Sequence, residues 1–213
     1  MTLYDRAKVT AGDNESEAQP VPAGERLDKC RKSYAKVEPC ENHSYKDGAC
    51  EWCGTEKPVK KVKVHYVNEK DVDQGEKECI QVESHTTKWT DGNWYAVTEN
   101  ATVKGRIEVT GTVNLSLCDG ATLTAEQGVH LKDGNTLIIW NEKADGTGKL
   151  DAYLGTSNTD NACIGGNVSE TGGALTVYGG RVNASGFLGA GIGGGNNGSG
   201  GRSEEHTSEL QSR

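Results

Sequence analysis

A 28-residue repeat constrains this chain more than any other feature. Ile164-Gly165-Gly166 recurs as Ile192-Gly193-Gly194, 28 positions on, and Gly172-Gly173 recurs at the same offset as Gly200-Gly201. Between these landmarks Ala174 to Gly186 reads ALTVYGGRVNASG: a short strand pattern, a Gly-Gly turn and a second short strand pattern. A fixed period of this size marks stacked units, none of which buries its apolar face alone. The first copy is degenerate, with Asn167 to Thr171 (NVSET) where the second has the more Gly-rich GNNGS.

The composition agrees with thin, strand-rich units. Of 29 glycines, 23 lie from Gly105 onward, and the chain holds one Phe, one Met and four Pro. Few large apolar residues among many Gly, Thr, Val and Asn predict short strands and turns around a narrow core. From Ala101 the pattern is regular: Val103, Ile107, Val109, Val113, Leu115 and Leu117 fall in strand segments. Asp119-Gly120, Asp133-Gly134 and Asp145-Gly146 supply turns. No stretch shows a helical period, which leaves a sandwich, a barrel or a solenoid. The repeat selects the last, so the expected fold is all-β, a right-handed parallel β-helix. Alternate residues such as Leu175, Val177, Val182 and Ala184 are expected to point inward, with Ile164 stacked near Ile192.

The rest of the chain divides by composition. Residues 1–29 are polar and aperiodic and read as a disordered arm. Residues 30–58 hold four of the seven cysteines. Residues 59–100 read as a strand-rich connector and cap, and 101–201 as the truncated β-helix. Lys57 to Lys63 (KPVKKVK) alternates with Val62, Val64 and Tyr66 and reads as an edge strand with solvated lysines. From Arg202 the chain reads RSEEHTSELQSR, whose first eleven residues resemble a short-read sequencing adapter translated in one frame. That resemblance sets 202–213 apart from the fold and makes the chain a fragment. No apolar h-region follows Met1 and no run reaches the length of a membrane span.

The strongest chemical signal is Cys40-x2-His43-x6-Cys50-x2-Cys53. Four soft ligands within a short loop can surround one tetrahedral Zn²⁺, and with all four positions taken by protein the site is structural. A unit this small draws its folding energy from the metal. Two disulfides are the rival reading, but they leave His43 without a role. Cys30 is an alternative ligand to an already complete set. Cys118 and Cys163 read as small apolar core residues. Gly189 to Gly194 fits a dinucleotide-type Gly pattern but precedes no helix, so it reads as a corner of the repeat.

Signals for catalysis are weak. Glu108, Asp119, Asp133, Asp145 and Asp151 are dispersed, and three of them sit in turns. His65, His85 and His130 have no recognisable Ser or Cys partner and read as surface or strand histidines. A formal net charge of −8 argues against a nucleic-acid surface. Aromatic rings are the usual platform for sugars. Trp89, Trp94 and Tyr95 precede the repeats and read as a cap, which leaves Tyr178, Trp140 and Tyr153 as candidate glycan contacts.

Residues Trp89 to Gly201 resemble the β-helical part of large secreted surface proteins of anaerobic Gram-positive bacteria. The stretches that carry the likeness are NWYAVTENATVKGRIEVTGTVNLSLCDGATLTA, GNTLIIW, GKLDA and the repeated IGG, TGG and LTVYGG units. The resemblance implies an extracellular or cell-surface location, an adhesin-like, non-enzymatic role and polysaccharide or cell-wall glycan as partner. It also fits the cysteine motif, since short CxxH and CxxCG knuckles recur beside such domains. A fragment of a polysaccharide lyase or glycoside hydrolase of β-helix fold is the alternative.

Overall fold

The computed structural model describes residues 9–11, 14–16, 43–51, 53–68, 70, 72–143, 146–155, 160–205 and 209–212. The chain separates into two units, Met1–Pro58 and Val59–Arg213. All regular structure among the described residues is strand.

In the first unit, β1 (Val9–Ala11) pairs antiparallel with β2 (Asn14–Ser16). The sequence reads residues 1–29 as a disordered arm; apart from these two short strands, that arm lies outside the described residues. A second hairpin joins β3 (Tyr45–Lys46) to β4 (Ala49–Cys50), with Tyr45 opposite Cys50. Asp47 and Gly48 turn it with φ of 49° and 83°, values open to Asp and Gly in a tight hairpin.

The second unit opens with the antiparallel pair β5 (Lys61–Val67) and β6 (Asp73–Gln81). β5 is a sheet edge, as the lysine alternation predicts. Its lysines face acidic partners across the strand, Lys61 with Glu78 at 2.7 Å and Lys63 with Glu76 at 3.5 Å. Strands then come in triplets. The first is β7 (Lys88–Trp89), β8 (Trp94–Val97) and β9 (Ala101–Val103), upstream of where the pattern first becomes regular. The second is β10 (Ile107–Val109), β11 (Thr112–Leu117) and β12 (Thr122–Ala125). The third is β13 (Val129–His130), β14 (Thr136–Asn141) and β15 (Lys149–Tyr153). The fourth is β16 (Ile164–Gly165), β17 (Ala174–Val177) and β18 (Arg181–Ser185). β19 (Ile192–Gly193), β20 (Arg202–Glu205) and β21 (Glu209–Ser212) complete the series.

Each triplet gives one strand to each of three parallel sheets, so every strand pairs with the strand three places later. The first sheet runs β7-β10-β13-β16-β19. The second continues β5 and β6 into β8-β11-β14-β17-β20. The third runs β9-β12-β15-β18-β21. The register places like on like: Ile107, Val129, Ile164 and Ile192 form one column. Val113, Leu137 and Leu175 form another, and Leu123, Leu150 and Val182 a third. All three sheets feed one buried apolar cluster, in which Leu137, Leu123 and Val129 are fully enclosed. The two-residue alternation of a strand is what sends one face of each sheet there. Cys79, Cys118 and Cys163 are buried thiols in this cluster.

Trp89, read as part of a cap, is wholly buried in β7, the end strand of its sheet, and stacks on Tyr95 at 5.2 Å. The Arg202–Arg213 segment, expected to stand outside the fold, contributes β20 and β21 through backbone pairing with β17 and β18. Unpaired backbone groups at the end of a sheet template any following strand, largely regardless of its side chains.

The repeated glycines are needed where strands meet most closely. Gly165 has φ of 149°, and a Cβ there would lie 1.8 Å from the Gly193 carbonyl oxygen. Gly165→Ala therefore forces two backbones apart and is expected to cost more than about 3 kcal/mol. Gly134→Ala, with φ of 82° but nothing near the added methyl, should cost only about 1–2 kcal/mol. Leu137→Ala in the enclosed column should cost about 2–5 kcal/mol. Urea unfolding of the three variants checks this ordering; equal losses for the two glycine variants would show that close approach does not explain Gly165.

Candidate functional site

The β3–β4 hairpin, the residue just before it and the turn after it bring three metal-ligating side chains together. The ligand atoms of His43, Cys50 and Cys53 all lie within 4.8 Å of one another, and the group can hold a metal ion. Backbone bonds shape the loop: the Cys50 N–H donates to the Thr55 carbonyl at 2.8 Å, and the Gly54 N–H to the Cys50 carbonyl at 2.8 Å. Gly54, with φ of 73°, turns the chain just after Cys53. The Cys53 thiol lies 3.4 Å from His43 Nδ1 and 3.0 Å from the Thr55 hydroxyl. Hydrogen bonding to Cys50, then to Cys53, raises the His43 imidazole above its ordinary value, against an opposing effect of burial. Two sulfur donors and one imidazole suit a borderline-soft ion. The fourth predicted ligand, Cys40, and the alternative Cys30 lie outside the described residues.

The predicted glycan contacts divide. Trp140 and Tyr178 meet on one face of the second sheet, stacked with ring centres 4.5 Å apart. Trp94 stacks on the other side of Trp140 at 5.6 Å. Sequence reasoning missed the fourth member, Tyr66 of β5, which lies 4.7 Å from Trp94 and 5.5 Å from Trp140. Its place follows from the β5–β6 pairing, and the alternation in β5 was the one signal that pointed to it. Lys77 Nζ sits 5.1 Å from the Trp94 ring centre, a cation–π contact. Trp140 Nε1 donates to Asn114 Oδ1 at 3.0 Å. Tyr153 stands apart on β15 of the third sheet, 42% exposed. Burial, then the neighbouring Glu126 carboxylate, raises its phenol above the ordinary value.

A third group was hidden by sequence distance. His130, read as a lone strand histidine, lies between Glu108 and Glu170. Glu108 is directly opposite it in register on β10. Glu170 arrives from the turn after β16, with Oε2 2.7 Å from His130 Nε2. Glu108, one of the carboxylates that looked dispersed, thus flanks one imidazole together with Glu170, which the sequence did not single out.

A search against family models, curated proteins and solved structures gives no match to this chain. Among the described residues, no helix is long and apolar enough to cross a membrane.

The cysteines separate by environment. Burial raises the thiols of Cys79 and Cys163 to about 11 and that of Cys118 to about 12. At pH 8 these three are protonated and poorly nucleophilic. Alkylation of the folded protein at pH 8 should therefore spare them and modify Cys53 once a chelator has been added. Peptide mass spectrometry reads the result; modification of Cys118 at the same rate as Cys53 would contradict the burial argument.

Proposed function

We propose that the triplets of the second unit are the coils of a β-helical solenoid, and that this solenoid is a non-enzymatic extracellular stalk of the adhesin type. What supports the solenoid is the regular return of every third strand to the same sheet, with Ile164 on Ile192. In such an arrangement each coil touches only its neighbours and presents a long, uninterrupted outer surface.

The stalk's partner is polysaccharide, and the observation that carries this reading is the aromatic row Trp94–Trp140–Tyr178. The rings stack on one another, so the face of each lies largely against its neighbour. The row meets solvent as one continuous apolar strip rather than as separate platforms. Trp140 holds it together, in contact with Trp94, Tyr178 and Tyr66. A glycan lying along such a strip gains modestly per sugar. Affinity for a long chain then comes from repeated contacts at raised effective concentration. Tyr153, on another sheet, is not part of this surface.

The metal group of the first unit is a structural zinc site, with Cys40 as fourth ligand to His43, Cys50 and Cys53. Its support is the soft donor set and the tight turns that hold it. Zinc analysis of the purified protein should give one ion bound through these residues. Chelation should unfold the hairpin, and acidification should weaken binding as thiolates and imidazole take up protons. Retention of full zinc by Cys53→Ser would reject this ligand set.

Affinity electrophoresis across plant, mucin and cell-wall glycans tests the partner. Retardation on a long-chain glycan without release of reducing or unsaturated ends is expected. Trp140→Ala should abolish it while thermal unfolding stays cooperative. No retardation on any glycan would reject the polysaccharide partner, and measurable cleavage would reject the non-enzymatic reading in favour of a lyase or hydrolase.

A further inference from the structure

The strands under the aromatic row bring no charge of their own. β8 (WYAV), β11 (TVNLSL), β14 (TLIIWN) and β17 (ALTV) hold neither acidic nor basic residues. The other two sheets differ. Lys88, Glu108 and His130 share a column on the first, and Lys149 and Arg181 are paired in register on the third. An anionic group brought to the row therefore meets no carboxylate from the strands beneath it.

The β5–β6 hairpin beside the row does carry charge, and it sorts that charge by face. Lys61 pairs with Glu78 at 2.7 Å and Lys63 with Glu76 at 3.5 Å, while His65 Nδ1 lies 3.3 Å from Asp73. Lys77 falls between Glu76 and Glu78 in β6, so its side chain leaves the opposite face of the strand. Its register partner is the buried Val64 rather than an acid. Among the described residues, no carboxylate forms an ion pair with the Lys77 ammonium.

What that ammonium meets is the row itself, with Nζ 5.1 Å from the centre of the Trp94 ring. A ring face attracts the charge but does not use up the N–H donors of an ammonium as a carboxylate would. Lys77 thus places a cation with unspent donors at the end of an apolar strip. The net charge of −8 repels polyanions at long range. A preference for an anionic ligand at this row has to come from a local positive group, and Lys77 is in that position.

Resting on the glycan reading of the row given above, we infer that the glycan is anionic: its sugar rings lie along Trp94, Trp140 and Tyr178, and Lys77 holds a carboxylate or sulfate on one of them. A uronic acid or sulfated sugar offers an apolar ring face for stacking and a negative group at the ring edge. A neutral sugar engages the row alone and leaves the ammonium to water. Lysine is a compact, rotatable point charge, so it takes either anion without selecting between their shapes.

Affinity electrophoresis of the full chain tests this with polymers that differ only in charge: polygalacturonate against its methyl ester, and dextran sulfate against dextran. At least one charged form should retard the protein about three- to fivefold more strongly than its uncharged counterpart, the gain of one solvent-screened ion pair. Added salt should remove that difference and leave the retention due to stacking. Lys77→Met keeps the stem over Trp94 and should remove the difference too, with thermal unfolding still cooperative. Lys77→Arg should retain it, which keeps the test decisive if the methionine variant folds poorly. Lys63→Met, which alters a paired lysine on the other face, should leave it unchanged. Preference for polygalacturonate alone assigns a carboxylate, and for dextran sulfate alone a sulfate; either supports the inference. Equal retardation on charged and uncharged forms, or a difference that survives Lys77→Met, overturns it while the glycan reading stands. No retardation on any polymer overturns both.

Discussion

The triplets of the second unit depend on each strand pairing in parallel with the strand three places later. This pairing satisfies the backbone groups of short strands that have no stability alone. It also fixes register, so that Leu137 lies on Val113 and Leu175 on Leu137. A slip of one residue would turn every apolar column outward. Burial and hydrogen bonding therefore enforce the same alignment, and neither succeeds without the other. The glycines at the corners follow from it. Gly165 and Gly193 pair directly, and a side chain on Gly165 would hold the strands apart.

The same alignment exposes where the pattern fails. β20 continues the second sheet, but its register puts Ser203 in line with Leu175 and Glu205 in line with Val177. The preceding residues at these positions are Leu137 and Ile139. Polar residue types at register positions that are apolar in the earlier triplets do not follow the rule that governs those triplets. In β21, by contrast, Leu210 falls in line with Val182. Backbone pairing extends across this segment, whereas the apolar pattern largely does not. That mismatch sits just where the sequence departs from the repeat.

Strand content and the inward residues were legible because they are local. Alternation in ALTV and RVNAS marks one face, and the 28-residue offset aligns Ile164 with Ile192 from residue order alone. The grouping of His43, Cys50 and Cys53 was legible for the same reason, all three lying within one short loop. The aromatic row was half legible. Trp140 and Tyr178 stood out as residue types, but only the strand pairing shows that they share a face and that Tyr153 does not. Tyr66 comes from outside the triplets altogether. The His130 group was invisible because its members lie on β10, on β13 and in a turn beyond β16. Residue types alone cannot bring those positions together.

The steps between paired strands explain that invisibility. Ile107 to Val129, Val129 to Ile164 and Ile164 to Ile192 advance by 22, 35 and 28 residues, yet all four share one column. Extra length is therefore taken up in the connections while the sheets keep their register. Loop closure grows costlier only slowly with length, so insertions there are tolerated far better than a change within a strand. A connection can acquire polar residues freely, and the rigid sheet beside it then holds whatever strand residue it meets. Glu170 reaches His130 in this way. The sheet supplies an imidazole in a fixed place, and the turn supplies the carboxylate and amide. A fold with invariant strand pairing and variable connections thus brings polar groups together at the boundary between the two, where a repeat read from sequence is least regular.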